Sequence, residues 1–192
     1  MFIQTEATPN PETMKFLPGR AVMGQGSADF PTPELAERSP LAQSIFGVEG
    51  VTAVFLGSDF VTVTKDGEAG VEWNHIKPSV LGAIMDHFTS GAPVLLDGAE
   101  GGGAQEIPDE EYSETDAEIV AEVKELLESR VRPAVAADGG DIIFHAYKEG
   151  IVWLTMQGAC AGCPASTMTL KQGIENLLRH YIPEIEEVRA VE

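Results

Sequence analysis

The apolar positions are most regular in the last third of the chain. Ile119, Val123, Leu126, Leu127 and Val131 recur at helical spacing and predict an amphipathic helix. Thr115, with Glu118 three residues on, reads as a capping box at its start, and Pro133 is expected to end or kink it. Ile142 to Tyr147 and Ile151 to Gln157 read as strands joined by Lys148-Glu149-Gly150. Asp138-Gly139-Gly140-Asp141 precedes them as a turn in which the glycines can take positive φ. After Pro164, the positions Leu170, Ile174, Leu177, Leu178 and Tyr181 form a second inward stripe, stopped by Pro183. A last strand is expected from Glu187 to Val191. The order α-β-β-α-β predicts an α+β domain with helices laid on a small sheet.

The N-terminal half mixes short strands and helices. Phe2 to Thr5 and Met14 to Leu17 read as strands separated by Pro9-Asn10-Pro11. Ser39-Pro40 is a helix start, with Ser at the N-cap and Pro at the first helical position; the helix should reach Phe46 and stop at Gly47. Val51 to Leu56 and Phe60 to Thr64 predict a hairpin around Gly57-Ser58-Asp59, with Val61 and Val63 sharing one face. Ile76, Val80, Ile84 and Phe88 predict a second helix, ended by Gly91 and Pro93.

Composition separates the two halves. Residues 1–96 carry 11 acids and 5 bases, and residues 115–192 carry 13 acids and 7 bases. The short segment 97–114 carries 7 acids and no base, together with Gly98, Gly101, Gly102, Gly103 and Pro108. Little there can be buried and its charges repel, so it reads as a flexible acidic linker. The expected organisation is two small mixed α/β domains, 1–96 and 115–192, joined by 97–114 in a chain of 192 residues.

The net charge of −19 argues against a nucleic-acid backbone or an anionic membrane surface as the main partner, since both would repel the chain. No apolar run approaches the roughly 18 residues of a membrane span. The first residues have neither the apolar block of a secretory signal nor the Arg/Ser-rich look of a transit peptide, so a soluble, reducing, intracellular setting is the expectation.

The chain has two cysteines, Cys160 and Cys163, in Gly158-Ala159-Cys160-Ala161-Gly162-Cys163-Pro164. Two thiolates at this spacing can address one soft metal centre, and Gly158 and Gly162 let the backbone turn tightly between them. The helix that starts at Pro164 would aim its positive end at the sulfurs and lower their pKa. Tetrahedral zinc and iron–sulfur clusters normally take four protein ligands, whereas one chain offers two sulfurs. A [4Fe-4S] cluster held by two such pairs across a two-fold axis meets that count, and so does a shared zinc. Two further readings stay open: a thiol–disulfide pair, whose thioredoxin-like setting calls for a βαβ pattern that the sequence does not display, and two ordinary buried cysteines.

These residues resemble a known family. Arg132-Pro133, Asp138-Gly139-Gly140-Asp141, the cysteine segment 158–164, Thr169-Leu170-Lys171 and Gly173-Ile174-Glu175 are similar to the NifU-like C-terminal domain of Nfu proteins. Thr8-Pro9-Asn10-Pro11, Lys15-Phe16-Leu17-Pro18-Gly19, Ser39-Pro40-Leu41-Ala42, Phe46-Gly47-Val48-Glu49-Gly50-Val51 and Trp73 resemble the N-terminal Nfu domain. The resemblance implies a non-enzymatic iron–sulfur cluster carrier or scaffold. It would bind a [4Fe-4S] cluster between two subunits through Cys160 and Cys163 and deliver it to apo-proteins. The implied partners are a second copy of the chain, upstream assembly proteins and client apo-enzymes. The implied location is the bacterial cytoplasm or, for a mature organellar chain, the mitochondrial matrix. The N-terminal domain offers no chemical constellation and is expected to dock or regulate.

His75, His87, His145 and His180 have no ligand partner at useful spacing, and His145 reads as a packing or surface residue on an alternating strand. Asp138 and Asp141 read as turn residues rather than a cation loop or an acid–base pair. Lys171 either balances the charge of the cluster or lies on a solvated helix face. Gly101 to Gly103 lack the GK[ST] ending of a phosphate loop.

Overall fold

A computed structural model describes residues 1–96, 112–162 and 164–191. The chain divides into two compact units, Met1–Gly103 and Ala104–Glu192. The division falls within the expected linker, of which residues 97–111 lie outside the described residues.

The N-terminal unit contains β1 (Gln4–Ala7), β2 (Thr13–Leu17), β3 (Ala28–Phe30), α1 (Pro40–Phe46), β4 (Val51–Leu56), β5 (Val61–Lys65) and α2 (Trp73–Ser90). Its strands form one antiparallel sheet in the order β1-β2-β5-β4-β3. The predicted hairpin is β4–β5, with Val54 opposite Val63 and Leu56 opposite Val61. These four side chains are buried with Phe16, Phe30, Leu41, Ile45, Val80 and Ile84 in one core. Ser39 caps α1 as expected: its Oγ accepts from the Ala42 amide at 3.1 Å and donates to the Val94 carbonyl at 2.6 Å. Pro40 occupies the first turn, where its missing N–H costs nothing. Gly91 takes φ 73° at the end of α2, a left-handed stop that suits glycine.

Three features of this unit depart from the sequence reading. Strand β3 and the 3-10 helix Pro33–Arg38 lie in a stretch with no strong periodicity, where cross-strand pairing with β4 supplies the order. The first strand begins at Gln4, leaving Phe2 80% exposed. In α2, His87 takes the fully buried position, while Phe88 packs half-buried against the core.

The C-terminal unit contains α3 (Glu114–Leu126), a π-helical turn (Leu127–Val131), α4 (Arg132–Ala137), β6 (Gly140–Lys148), β7 (Ile151–Gly158), α5 (Pro164–Tyr181) and β8 (Glu187–Val191). The α-β-β-α-β order is as predicted. Val152, Leu154 and Met156 alternate into a core shared with Val123, Leu127 and Val131 of the first helical segment and Ile174 and Leu178 of α5.

The predicted cap is displaced by two residues. Ser113, not Thr115, caps α3; its Oγ accepts from the Asp116 amide at 3.2 Å and donates to Asp116 Oδ2 at 2.8 Å. Periodicity fixes the buried face of a helix but not its first turn, and Ser113-x-x-Asp116 competes for the same role. Pro133 does not end the helix. The wider π turn carries the Arg132 amide to the Leu127 carbonyl, and the chain stays helical to Ala137. Tyr181, expected inward, is 41% exposed at the last residue of α5, with the Arg130 guanidinium 5.1 Å from its ring centroid.

The sheet order is β6-β7-β8. Strands β6 and β7 are antiparallel, whereas β7 and β8 are parallel and joined by α5. This is a β-α-β crossover, which the sequence reading did not find around the cysteines. Strand direction in space, not local pattern, decides it.

His87 gives a test of the N-terminal core. It is 5% exposed, its Nε2 has no hydrogen-bond partner among the described residues, and burial lowers its pKa below the ordinary value of 6.5. The folded unit therefore resists a proton that the unfolded chain accepts as pH falls through about 6.5, so stability is lost on the acid side. The melting temperature of wild type should fall further between pH 7.5 and 5.5 than that of His87→Leu. Equal pH slopes in the two proteins would contradict it.

Candidate functional site

Strand β7 ends at Gly158 and α5 begins at Pro164, so the cysteine segment is the turn between them. Gly158 and Gly162 take φ 64° and 73°, the left-handed conformations that the sequence anticipates there. The Ala161 amide donates to the Gly158 carbonyl at 3.1 Å and closes the turn. The Thr167 hydroxyl donates to the Cys160 carbonyl at 3.1 Å and ties the turn to the first part of α5. Cys160 is 5% exposed, free of any disulfide, and belongs to the C-terminal core. Cys163, the second expected ligand, lies outside the described residues.

The turn is held from the other side by the start of β6. The Ala159 amide donates to the Gly139 carbonyl at 3.2 Å, and Gly139 takes φ 84°. A Cβ on Gly140 would meet Cys160 Sγ and the Gln157 carbonyl, each at 2.6 Å. Of the two glycines, Gly139 therefore serves conformation and Gly140 serves space.

The sequence reading missed the ion pair beside this junction. Arg132 donates through Nε and one terminal nitrogen to the two carboxylate oxygens of Asp141, at 2.9 and 2.8 Å, and through the other to Glu128 at 2.5 Å. Asp141 is buried at 6% exposure and also accepts from the Ile142 amide at 2.8 Å. The Asp141 hydrogen bonds hold the Arg132 guanidinium firmly in its charged form. Arg132-Pro133 and Asp138-Gly139-Gly140-Asp141 were both visible as motifs, but no local rule pairs positions nine apart. Asp138, in contrast, is exposed.

The electrostatics correct one expectation. Burial pushes the Cys160 thiol up to about 12, and the charges of Asp138 and Asp141 push the same way. A helix N-terminus lowers a thiol pKa. Here desolvation and two carboxylates outweigh it, so the uncomplexed Cys160 is a protonated, core-packed thiol. The Lys171 ammonium is 4.0 Å from Glu187 on β8. His145 is half-buried on β6, as a packing residue, and His75 and His180 are exposed.

A two-domain α+β chain whose second domain presents a glycine-bounded turn with a buried cysteine between a strand and a crossover helix falls in the class of small α+β modules built around such a turn. Comparison with known proteins specifies it further. Residues 3–91 match the model of the scaffold protein Nfu/NifU N-terminal domain, and residues 123–189 match that of the NifU-like domain. The chain belongs to the Nfu family. It is 50% identical over 191 residues to the human NFU1 iron-sulfur cluster scaffold homolog, mitochondrial, covering 100% of this chain and 72% of that protein. It is 53% identical over 192 residues to the protein of that name from Drosophila sechellia, covering 100% of this chain and 65% of the relative. It is 53% identical over 190 residues to NifU-like protein 4, mitochondrial, of Arabidopsis thaliana, covering 98% and 65%. The chain thus spans between 65% and 72% of the length of these relatives.

Two substitutions test the junction. Gly140→Ala forces the Gln157 backbone or the Cys160 side chain to move, and should destabilise the C-terminal unit by about 1–3 kcal/mol in urea unfolding. A neutral result would mean that the close approach is not a constraint. Arg132→Ala leaves a buried carboxylate without its bidentate partner. Because Arg132 is itself about a third exposed, the cost should be about 2–3 kcal/mol, towards the lower end for a broken buried pair. Arg132→Lys should recover only part, since an ammonium cannot reproduce the two-point contact.

Proposed function

We propose that this chain is an iron–sulfur cluster scaffold and carrier. It holds a [4Fe-4S] cluster between two copies through Cys160 and Cys163 and passes it to apo-proteins, without catalysing a reaction of its own. The observation that carries this reading is the cysteine turn at the start of α5, in a domain that matches the NifU-like model. Relatives half identical to the chain are named as iron–sulfur cluster scaffolds.

The donor count supports the bridged form. A cluster of this kind takes four thiolates, and a chain with two cysteines supplies half of them. The cluster is cargo. Each thiol must release its proton to bind iron, and the folded turn keeps Cys160 packed until it does.

The partners on this reading are upstream assembly proteins and client apo-proteins, with the N-terminal domain as a docking module. The chain's net charge of −19 disfavours nucleic acid and anionic membrane surfaces. No helix among the described residues is long and apolar enough to cross a membrane. The relatives are named as mitochondrial, which favours the mitochondrial matrix over the bacterial cytoplasm first expected.

One observation favours a second reading. The β7-α5-β8 crossover supplies the β-α-β setting that a thiol–disulfide exchanger calls for. The burial of Cys160 weighs against it, because a substrate disulfide needs access to the sulfur.

Anaerobic reconstitution with ferrous iron and sulfide decides between them. The carrier should take up about two iron and two sulfide per chain and double its mass, and Cys160→Ser should abolish uptake. A complete cluster inside an isolated protomer, zinc without sulfide, or turnover in an insulin-reduction assay would each overturn it.

A further inference from the structure

Gln157 immediately precedes Gly158, the last residue of β7, and stands opposite Asp141 on β6. It is a polar residue at 9% exposure on the strand that leads into the cysteine turn. Its Oε1 is closed to solvent and accepts no hydrogen bond among the described residues. Asp141 cannot satisfy it, because an ionised carboxylate only accepts, and both its oxygens already take bonds from Arg132. A buried amide oxygen without a donor has given up its hydration for nothing. The other buried polar atoms in this state, Arg38 Nε and His87 Nε2, belong to the N-terminal unit.

The turn carries the matching donor. The Ala159 and Ala161 amides donate to the Gly139 and Gly158 carbonyls, whereas the Cys160 amide between them donates to no described atom. It lies three residues after Gln157, the separation at which a side-chain oxygen meets a backbone amide at a helix start. Here it is turned against β6 instead: a Cβ on Gly140 would lie 3.1 Å from the Cys160 nitrogen and 2.6 Å from its Sγ. The same packing closes off the sulfur. At 5% exposure Cys160 offers little surface to a metal centre shared with another chain, so loading must draw the turn away from Gly140. Gly158 and Gly162, at φ 64° and 73°, bracket the part that moves.

We infer that Gln157 is a positioning residue of the loaded site: as the turn opens, its Oε1 accepts the Cys160 amide and holds the sulfur outward. The inference rests on the carrier reading above and adds to it a residue and a movement. The empty site packs Cys160 and leaves donor and acceptor unpaired, and the loaded site exposes Cys160 and pairs them. Each form therefore gives up something that the other has. That keeps the two close in free energy, as a protein that both takes up and releases its cargo requires.

The experiment uses the full chain, loaded anaerobically with ferrous iron and sulfide, and follows loss of the visible absorbance to a chelator. Gln157→Met keeps the volume of the side chain and removes the acceptor. The loaded variant should lose its cluster about fivefold faster than wild type, the worth of one ordinary hydrogen bond. The melting temperature of the apo variant should be unchanged or higher, since an unpaired buried oxygen has gone. A lower apo melting temperature would show that Oε1 already has a partner, a fixed water included. Equal cluster lifetimes would show that it gains none on loading. Either result overturns the inference and leaves the carrier reading standing. Amide exchange in wild type tests the same point without a variant: the Cys160 amide should exchange more slowly after loading, and an unchanged rate overturns the inference. If wild type takes up no cluster, the carrier reading fails and the inference falls with it.

Discussion

The contact between the start of β6 and the cysteine turn governs the C-terminal domain. Cys160 Sγ lies so near the Gly140 backbone that any side chain there would overlap it. The Gly139 carbonyl accepts the Ala159 amide from the same turn. Strand β7 delivers the turn, α5 leaves it, and β6 closes over its base. Arg132 anchors the strand that does the closing, through a buried two-point contact with Asp141. These features lie far apart in sequence and share one small volume, so a change at any of them should reach the cysteine.

This arrangement has an electrostatic consequence. A thiol at a helix N-terminus next to glycines suggests an activated nucleophile. Burial and the neighbouring carboxylates reverse that sign and hold Cys160 as a protonated core side chain. Such a group does not suit exchange chemistry with free disulfides. The crossover topology, which alone would fit a redox module, is thus combined with a microenvironment that does not.

The N-terminal unit contrasts with this. Its antiparallel sheet and helices enclose an apolar core. The buried His87 reports on the packing of that core rather than on any chemistry. Nothing among its described residues gathers metal-binding side chains.

Much of this protein is legible locally. The helical stripe of α2, the Ser39-Pro40 start, the β4–β5 hairpin, the strand Glu187–Val191 and the cysteine segment follow from period, caps and turn residues, because those forces act within a few residues of chain. The π turn that carries the helix past Pro133, the parallel pairing of β7 with β8, the Arg132–Asp141 pair and the depth of Cys160 do not follow. Each depends on which segments meet in space, and a chain read one residue at a time carries no measure of burial or of distance between remote positions. The elements and the cysteine motif are local properties of the chain, readable from period, caps and turn residues. Tertiary packing decided how the strands run, where the charges pair and whether a thiol at a helix end is acidic, since desolvation is a property of the assembled core.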